Sequence, residues 1–164
     1  MTTRRKGEPK GAPEGVKVVV QNRRARFDYA IEDRYEAGLV LSGSEVKSLR
    51  AGNVSLSDAY AQPRGGELFL LNCRIGEYQP AAYFGHSPLR DRKLLLKREE
   101  LDRIRGKVEQ RGYTLVPLSL YFKAGWAKVE LGLARGRTHE DRREVIAERE
   151  SKREMDRALS RRRR

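Results

Sequence analysis

The stretch His86-Ser87-Pro88-Leu89-Arg90-Asp91-Arg92-Lys93 carries three cations in four positions behind a proline turn. Guanidinium forks pair with phosphate oxygens, so a bent loop holding them suits the clamping of a nucleic-acid backbone. His86 could instead serve as a general base, but no nucleophile with an orienting acid is recognisable, and His139 lies in a highly charged tail. Asn22-Arg23-Arg24-Ala25-Arg26 is the second basic cluster. Its arginines could meet phosphates while the Asn22 amide donates and accepts at a base edge. A solvated basic linker would have the same composition. In Glu45-Val46-Lys47-Ser48-Leu49-Arg50, Lys47 and Arg50 stand at i,i+3, as on the surface helix of many proteins. Trp126, Tyr121 and Phe122 share a hairpin with Lys128 and could stack on bases, although aromatics in strands usually belong to a core. Gly132-Leu133-Ala134-Arg135-Gly136 lacks the lysine and hydroxyl of a triphosphate-binding loop. Cys73 is the only cysteine, so neither an intrachain disulfide nor a cysteine-cluster zinc site is available, and two separated histidines do not supply one. No cofactor is expected.

Charge narrows the partner. The 164 residues carry a formal charge of +13. Residues 1–26 hold eight basic and two acidic side chains, residues 27–134 sixteen and fourteen, and residues 135–164 twelve and seven. A nearly neutral body with two basic arms suits a compact domain whose extensions follow a polyanion. No apolar run approaches the ~18 residues that cross a bilayer, and no signal segment opens the sequence, so a cytoplasmic address is expected.

The elements that must position these residues follow from periodicity. Residues 1–15 offer almost nothing to bury and are expected to form a mobile leader. Phe27, Tyr29 and Ile31 alternate with polar or small neighbours, as in a half-buried strand. Ser42-Gly43-Ser44-Glu45 offers a capping box that opens a helix through Arg50. Residues 58–63 and 67–72 flank Arg64-Gly65-Gly66 as a hairpin. A turn-rich loop spans Pro80 to Pro88. Leu101, Ile104 and Val108 share a face of a helix from Arg98 to Arg111, with Gly112 as its stop. Residues 114–122 and 127–133 alternate about a Lys123-Ala124-Gly125 turn. About six strands and two helices within residues 16–134 predict a mainly β fold, a small antiparallel oligonucleotide-binding-type (OB-fold) barrel. A third helix is expected only in the tail. From Arg142 to Leu159 its apolar stripe is thin, and pairs such as Glu148 with Lys152 contribute only ~0.3–0.5 kcal/mol each. The tail, residues 135–164, is expected to fray when free and to become helical on a partner.

Taken together, these motifs resemble one family. Asn22 to Arg26, Tyr35-Glu36-Ala37-Gly38-Leu39, Gly43 to Arg50, Arg92-Lys93-Leu94-Leu95-Leu96 and Lys128 to Gly136 occur in the order and spacing of SsrA-binding protein, also called small protein B. The resemblance runs from about Asn22 to Arg143 and implies a non-enzymatic, monomeric RNA-binding barrel. Its implied partners are the transfer-RNA-like domain of transfer-messenger RNA and a stalled ribosome, whose empty messenger channel the tail would enter. By position, Asn22, Glu36, Leu95 and Lys128 match family residues tied to RNA binding. Arg23, Arg24, Glu45, Lys47, Arg90, Arg92 and Lys93 complete the expected RNA contacts. Asp141, Arg142 and Arg143 match the family's Asp-Lys-Arg, and His139 joins them as an expected ribosome contact. A carboxylate cannot favourably meet phosphate, so Glu36 is expected at base amino or ribose hydroxyl groups, or orienting an arginine. Phe27 stands where the family usually has His, and Glu140 where it has an aromatic or His. The rival readings are a ribosomal or initiation-factor-like protein and an RNA nuclease using His86 or His139.

Overall fold

A computed structural model of the chain describes residues 15–78, 85–110, 112–136 and 139–162. The expected leader, up to residue 14, and the loop from Pro80 to residue 84 lie outside them. Nine strands and four helices are described. In chain order they are β1 (Val16–Gln21), α1 (Arg23–Asp28), β2 (Tyr29–Leu39), α2 (Gly43–Arg50), β3 (Val54–Ser55), β4 (Tyr60–Arg64) and β5 (Glu67–Leu71), followed by β6 (Arg74–Ile75), β7 (Arg92–Leu95), α3 (Arg98–Val108), β8 (Tyr113–Lys123), β9 (Trp126–Gly136) and α4 (His139–Arg162).

Six strands pair antiparallel in the order β8-β4-β5-β7-β2-β9, and β9 returns to β8, closing a barrel without a free edge. The seam between β4 and β8 is narrow, one described pair, Ala61 with Leu115. β1 lies antiparallel on the far end of β8, from Val16 opposite Lys123 to Gln21 opposite Ser119. Inward-facing Leu68, Leu70, Leu94, Leu115, Leu120, Val129, Leu131 and Leu133 fill the barrel, and Leu49 of α2 and Ile104 of α3 pack into the same core. Each such buried side chain stabilises the fold by roughly 1.5–3 kcal/mol. A second, smaller core lies outside the barrel, where Ala25 of α1 covers Val116, Leu118 and Ala134 beside Tyr29 and Ile31.

Two of these expectations need correction. The strand expected from Phe27 begins at Tyr29, because Asn22 caps a short helix that carries Phe27 instead. Arg92 and Lys93, expected in a clamping loop, open strand β7. In the described part of the tail, His139–Arg162 form α4, and its first turns touch the body: Arg142 lies 3.8 Å from Asp28 and Arg149 stacks 5.6 Å above the Phe27 ring. Beyond Arg149 the described side chains are exposed, as the thin apolar stripe required.

Candidate nucleic-acid interface

The sequence-derived contacts divide into a buried lock and an open face. The lock is built on Glu45, the N3 residue of α2. Its carboxylate accepts from the Ser42 backbone N–H at 3.3 Å, the capping contact expected from the sequence. The same carboxylate accepts from Arg90 Nε at 3.1 Å and forms an ion pair with Arg92, and both Glu45 and Arg92 are fully buried. Arg92 spends its remaining donors on the carbonyls of Cys73 (2.7 Å), Arg90 (2.9 Å) and Pro88 (3.3 Å). Burial alone would raise the Glu45 carboxyl, but hydrogen bonds from Arg92 and Arg90 outweigh it and hold the pKa below the ordinary carboxylate value. His86 belongs to the same scaffold: Ser44 Oγ lies 2.8 Å from its Nδ1, and the Ile75 carbonyl 2.9 Å from its Nε2. With both ring nitrogens engaged, this histidine is placed to brace a loop rather than to move a substrate proton. Cys73 lies beside the lock, its thiol pushed up to about 11 by burial.

Glu45 and Arg92 are therefore corrected: neither presents an atom to a ligand, and a buried carboxylate without its guanidinium partner would be costly. Asn22 is corrected likewise. It is 6% exposed, its Oδ1 accepts from the Ala25 N–H, and its Nδ2 donates to the carbonyls of Leu56 and Pro117, each contact 3.1 Å long. An amide engaged in this way caps α1 and fixes it to the barrel. Lys93 pairs with Glu67 at 2.7 Å, while Arg90 is held against Glu45.

The open face is the outer surface of β8, β9 and β2. Antiparallel register sets Tyr121 opposite Lys128 and Lys128 opposite Gly38, with Leu95 of β7 opposite the same glycine. Glu36 lies two residues along β2 and accepts the Tyr121 phenol at 2.5 Å, with Lys123 Nζ 3.4 Å away. The phenol's hydrogen bond, followed by the Lys123 ammonium, lowers the Glu36 pKa despite some burial; burial and then Glu36 raise that of Tyr121. The result is an ionised acceptor aimed outward beside Lys123 and Lys128. Lys128 forms no ion pair within 4.0 Å among the described residues, although its charge also helps to lower the Glu36 pKa. Farther along the same outer surface, α1 exposes Arg23, Arg24 and Arg26, with Arg24 3.1 Å from Asp28. Lys47 of α2 is exposed above the Tyr78 ring at 5.4 Å.

Residues far apart in sequence thus converge. Glu36, Leu95 and Lys128 meet on one face, which also gathers Tyr121, Lys123 and Trp126. Spacing marks Lys123 only as a turn residue; the signal for its place here is the alternation that sets it on the face of Tyr121. Of the three aromatics, Phe122 is core and Tyr121 is mostly buried, whereas Trp126 is 72% exposed. In the tail, His139 begins α4, Asp141 and Arg143 are exposed, and Arg142 is half-buried against α1. The tail residues stand apart from the barrel face.

The outward acceptor, unpaired lysine, exposed aromatic and basic helix form a polar surface with apolar islands, suited to an RNA with unstacked bases. Among the described residues no helix is long and apolar enough to cross a membrane. Comparison with known proteins agrees in fold and sequence. The chain is 78% identical over 151 residues to the SsrA-binding protein of Anaeromyxobacter sp. (strain Fw109-5), covering 92% of each chain. It is 60% identical over 162 residues to that of Myxococcus xanthus (strain DK1622), covering 99% of this chain and 100% of the relative. A solved structure, "tmRNA-SmpB: a journey to the center of the bacterial ribosome", matches with TM-score 0.63 and 51% identity, over 77% of this chain and 93% of the other. With the family model described as SmpB protein matching residues 19–161, the chain belongs to the SmpB family.

Proposed function

We propose that this protein binds the transfer-RNA-like domain of transfer-messenger RNA and delivers it to stalled ribosomes for trans-translation, acting by binding and not by catalysis. The observation that carries the reading is the outer face of β8, β9 and β2, where Glu36, Lys123, Lys128 and Leu95 converge from four separate strand segments. The lysines supply a salt-dependent hold on phosphates, while the Glu36 carboxylate supplies an acceptor for base amino or ribose hydroxyl groups. Arg23 and Arg24 on α1, and Lys47 on α2, would extend the phosphate track. The chain acts as a monomer in the cytoplasm. Its tail enters the empty messenger channel, with His139, Asp141, Arg142 and Arg143 meeting ribosomal RNA and helping to stand in for the missing codon.

The names of the relatives and the similarity to a tmRNA-SmpB structure support the partner, and the family's nature supports binding over catalysis. Identifying the RNA that co-purifies from the native cell tests the reading. One discrete transfer-messenger RNA is expected. Bulk ribosomal RNA would favour a ribosomal-protein role, and fragmentation of added RNA would favour a nuclease.

A further inference from the structure

Next to the Glu36 cluster lies a groove of about 480 Å³, lined by Gly38, Val40, Leu95, Phe122, Trp126 and Lys128 among others. Its size falls within the roughly 300–1,000 Å³ typical of ligand clefts. Three of its apolar side chains face solvent: Val40 is 42%, Leu95 52% and Trp126 72% exposed. Exposing a large aromatic next to two aliphatic side chains costs solubility and stabilises nothing in the free fold. The hairpin geometry explains its placement. Ala124 and Gly125 both have positive φ, giving a two-residue turn that brings Trp126 directly opposite Lys123 on the barrel rim.

The surroundings identify what the groove holds. Lys128 lies on its wall with no ion pair within 4.0 Å among the described residues, Lys123 is one strand away, and Arg50 of α2 stacks 4.9 Å from Phe122 at its floor. A cationic rim around an apolar slot complements a group that is flat and apolar on its faces and joined to an anionic backbone. A nucleobase meets that description, whereas an apolar peptide helix would leave the cations without partners. We propose that the groove is a slot for one unstacked nucleobase, with Trp126 as its stacking residue. Leu95 and Val40 form the opposing wall, Lys128 holds the adjoining phosphate, and Glu36 stands within reach of the neighbouring base edge or ribose. The proposal rests on the RNA-binding reading and adds to it a requirement for an unpaired base.

Trp126 is the only tryptophan, so the emission of the full-length protein reports on this one ring. Titrating the protein with a transcribed transfer-RNA-like domain should quench that emission in step with binding. A fully paired RNA duplex of similar length should bind through its phosphates at low salt without quenching. Trp126→Leu should weaken binding of the transfer-RNA-like domain by about five- to 150-fold, the range of one lost stacked base. Trp126→Phe should recover part of that loss, and the salt dependence should keep its slope in both variants because no phosphate contact is removed. Saturable RNA binding with unchanged emission, or wild-type affinity in Trp126→Leu, would overturn the slot and leave the groove to a protein partner. Absence of any RNA binding by the wild-type chain would instead overturn the RNA-binding reading itself.

Discussion

Replacing Arg92 by alanine separates a scaffold role from an RNA-contacting one. The change leaves a fully buried Glu45 carboxylate with Arg90, itself 41% exposed in its side chain, and the Ser42 N–H as its partners. It also strips donors from the Cys73, Arg90 and Pro88 carbonyls. Breaking a buried ion pair from one side costs about 3–5 kcal/mol, a large share of the roughly 5–15 kcal/mol that holds a typical domain together. For a body of this size, at roughly 3–5 °C per kcal/mol, Tm should fall by about 10–25 °C. Arg92→Lys keeps the charge but loses the fork, and should cost less, about 1–3 kcal/mol. The assay pairs thermal unfolding by circular dichroism with RNA affinity measured far below the transition. Lowered Tm with unchanged affinity of the folded protein is expected. Unchanged Tm with a clear loss of affinity would refute the buried lock and return Arg92 to the RNA surface.

Glu45 adds a pH dependence of defined sign. Its folded-state pKa is depressed, so its contribution is fully present above the ordinary carboxylate range and is lost as pH falls through the folded value. Denaturant titrations at a series of acidic pH values should therefore show Glu45→Gln less stable than wild type near neutrality and losing less on acidification; parallel curves would contradict this. Ala124 has φ 50° in the β8–β9 turn, a conformation that costs an ordinary L-residue roughly 1–2 kcal/mol and that Asn tolerates better. Ala124→Asn should stabilise the fold by about 0.5–1 kcal/mol, read as a Tm rise of about 2–5 °C. A chain ending at Gly136 should bind the transfer-RNA-like domain nearly as well as the full protein but fail to support tagging on stalled ribosomes. The triple variant Asp141→Ala, Arg142→Ala, Arg143→Ala should behave the same way; loss of RNA binding in either would place part of the RNA contact in the tail.

Much of the fold was legible because burial imposes periodicity. The alternation through β8 and β9, the glycine pair between β4 and β5, and the capping glutamate of α2 each left a local signature. The pairings that close the barrel, β2 with β9 and β4 with β8, did not, since they join distant segments. At the candidate site, residue type misled where tertiary context chose the role. Asn22 and Arg92 look like contact residues because they carry many donors, and the same donors fit them to satisfy buried carbonyls. Glu45 is consumed by a cap and two guanidiniums that no spacing rule brings together. Trp126 presented the opposite difficulty. Alternation set it beside a turn, but only the closed barrel shows that the rim leaves its ring uncovered. The contact between α4 and α1 was also hidden, because it joins single side chains, Arg142 with Asp28 and Arg149 with Phe27, and not a stripe.

Mapping backbone amide and side-chain NMR shifts of the full-length protein during titration with the transfer-RNA-like domain tests most directly where the RNA is gripped. Perturbations should concentrate on residues 34–38, 121–128 and Leu95, extend to the exposed arginines of α1, and spare the outward face of α3 around Asp102 and Lys107. A set centred on α3 and β4, with Glu36, Trp126 and Lys128 unmoved at saturation, would contradict the account.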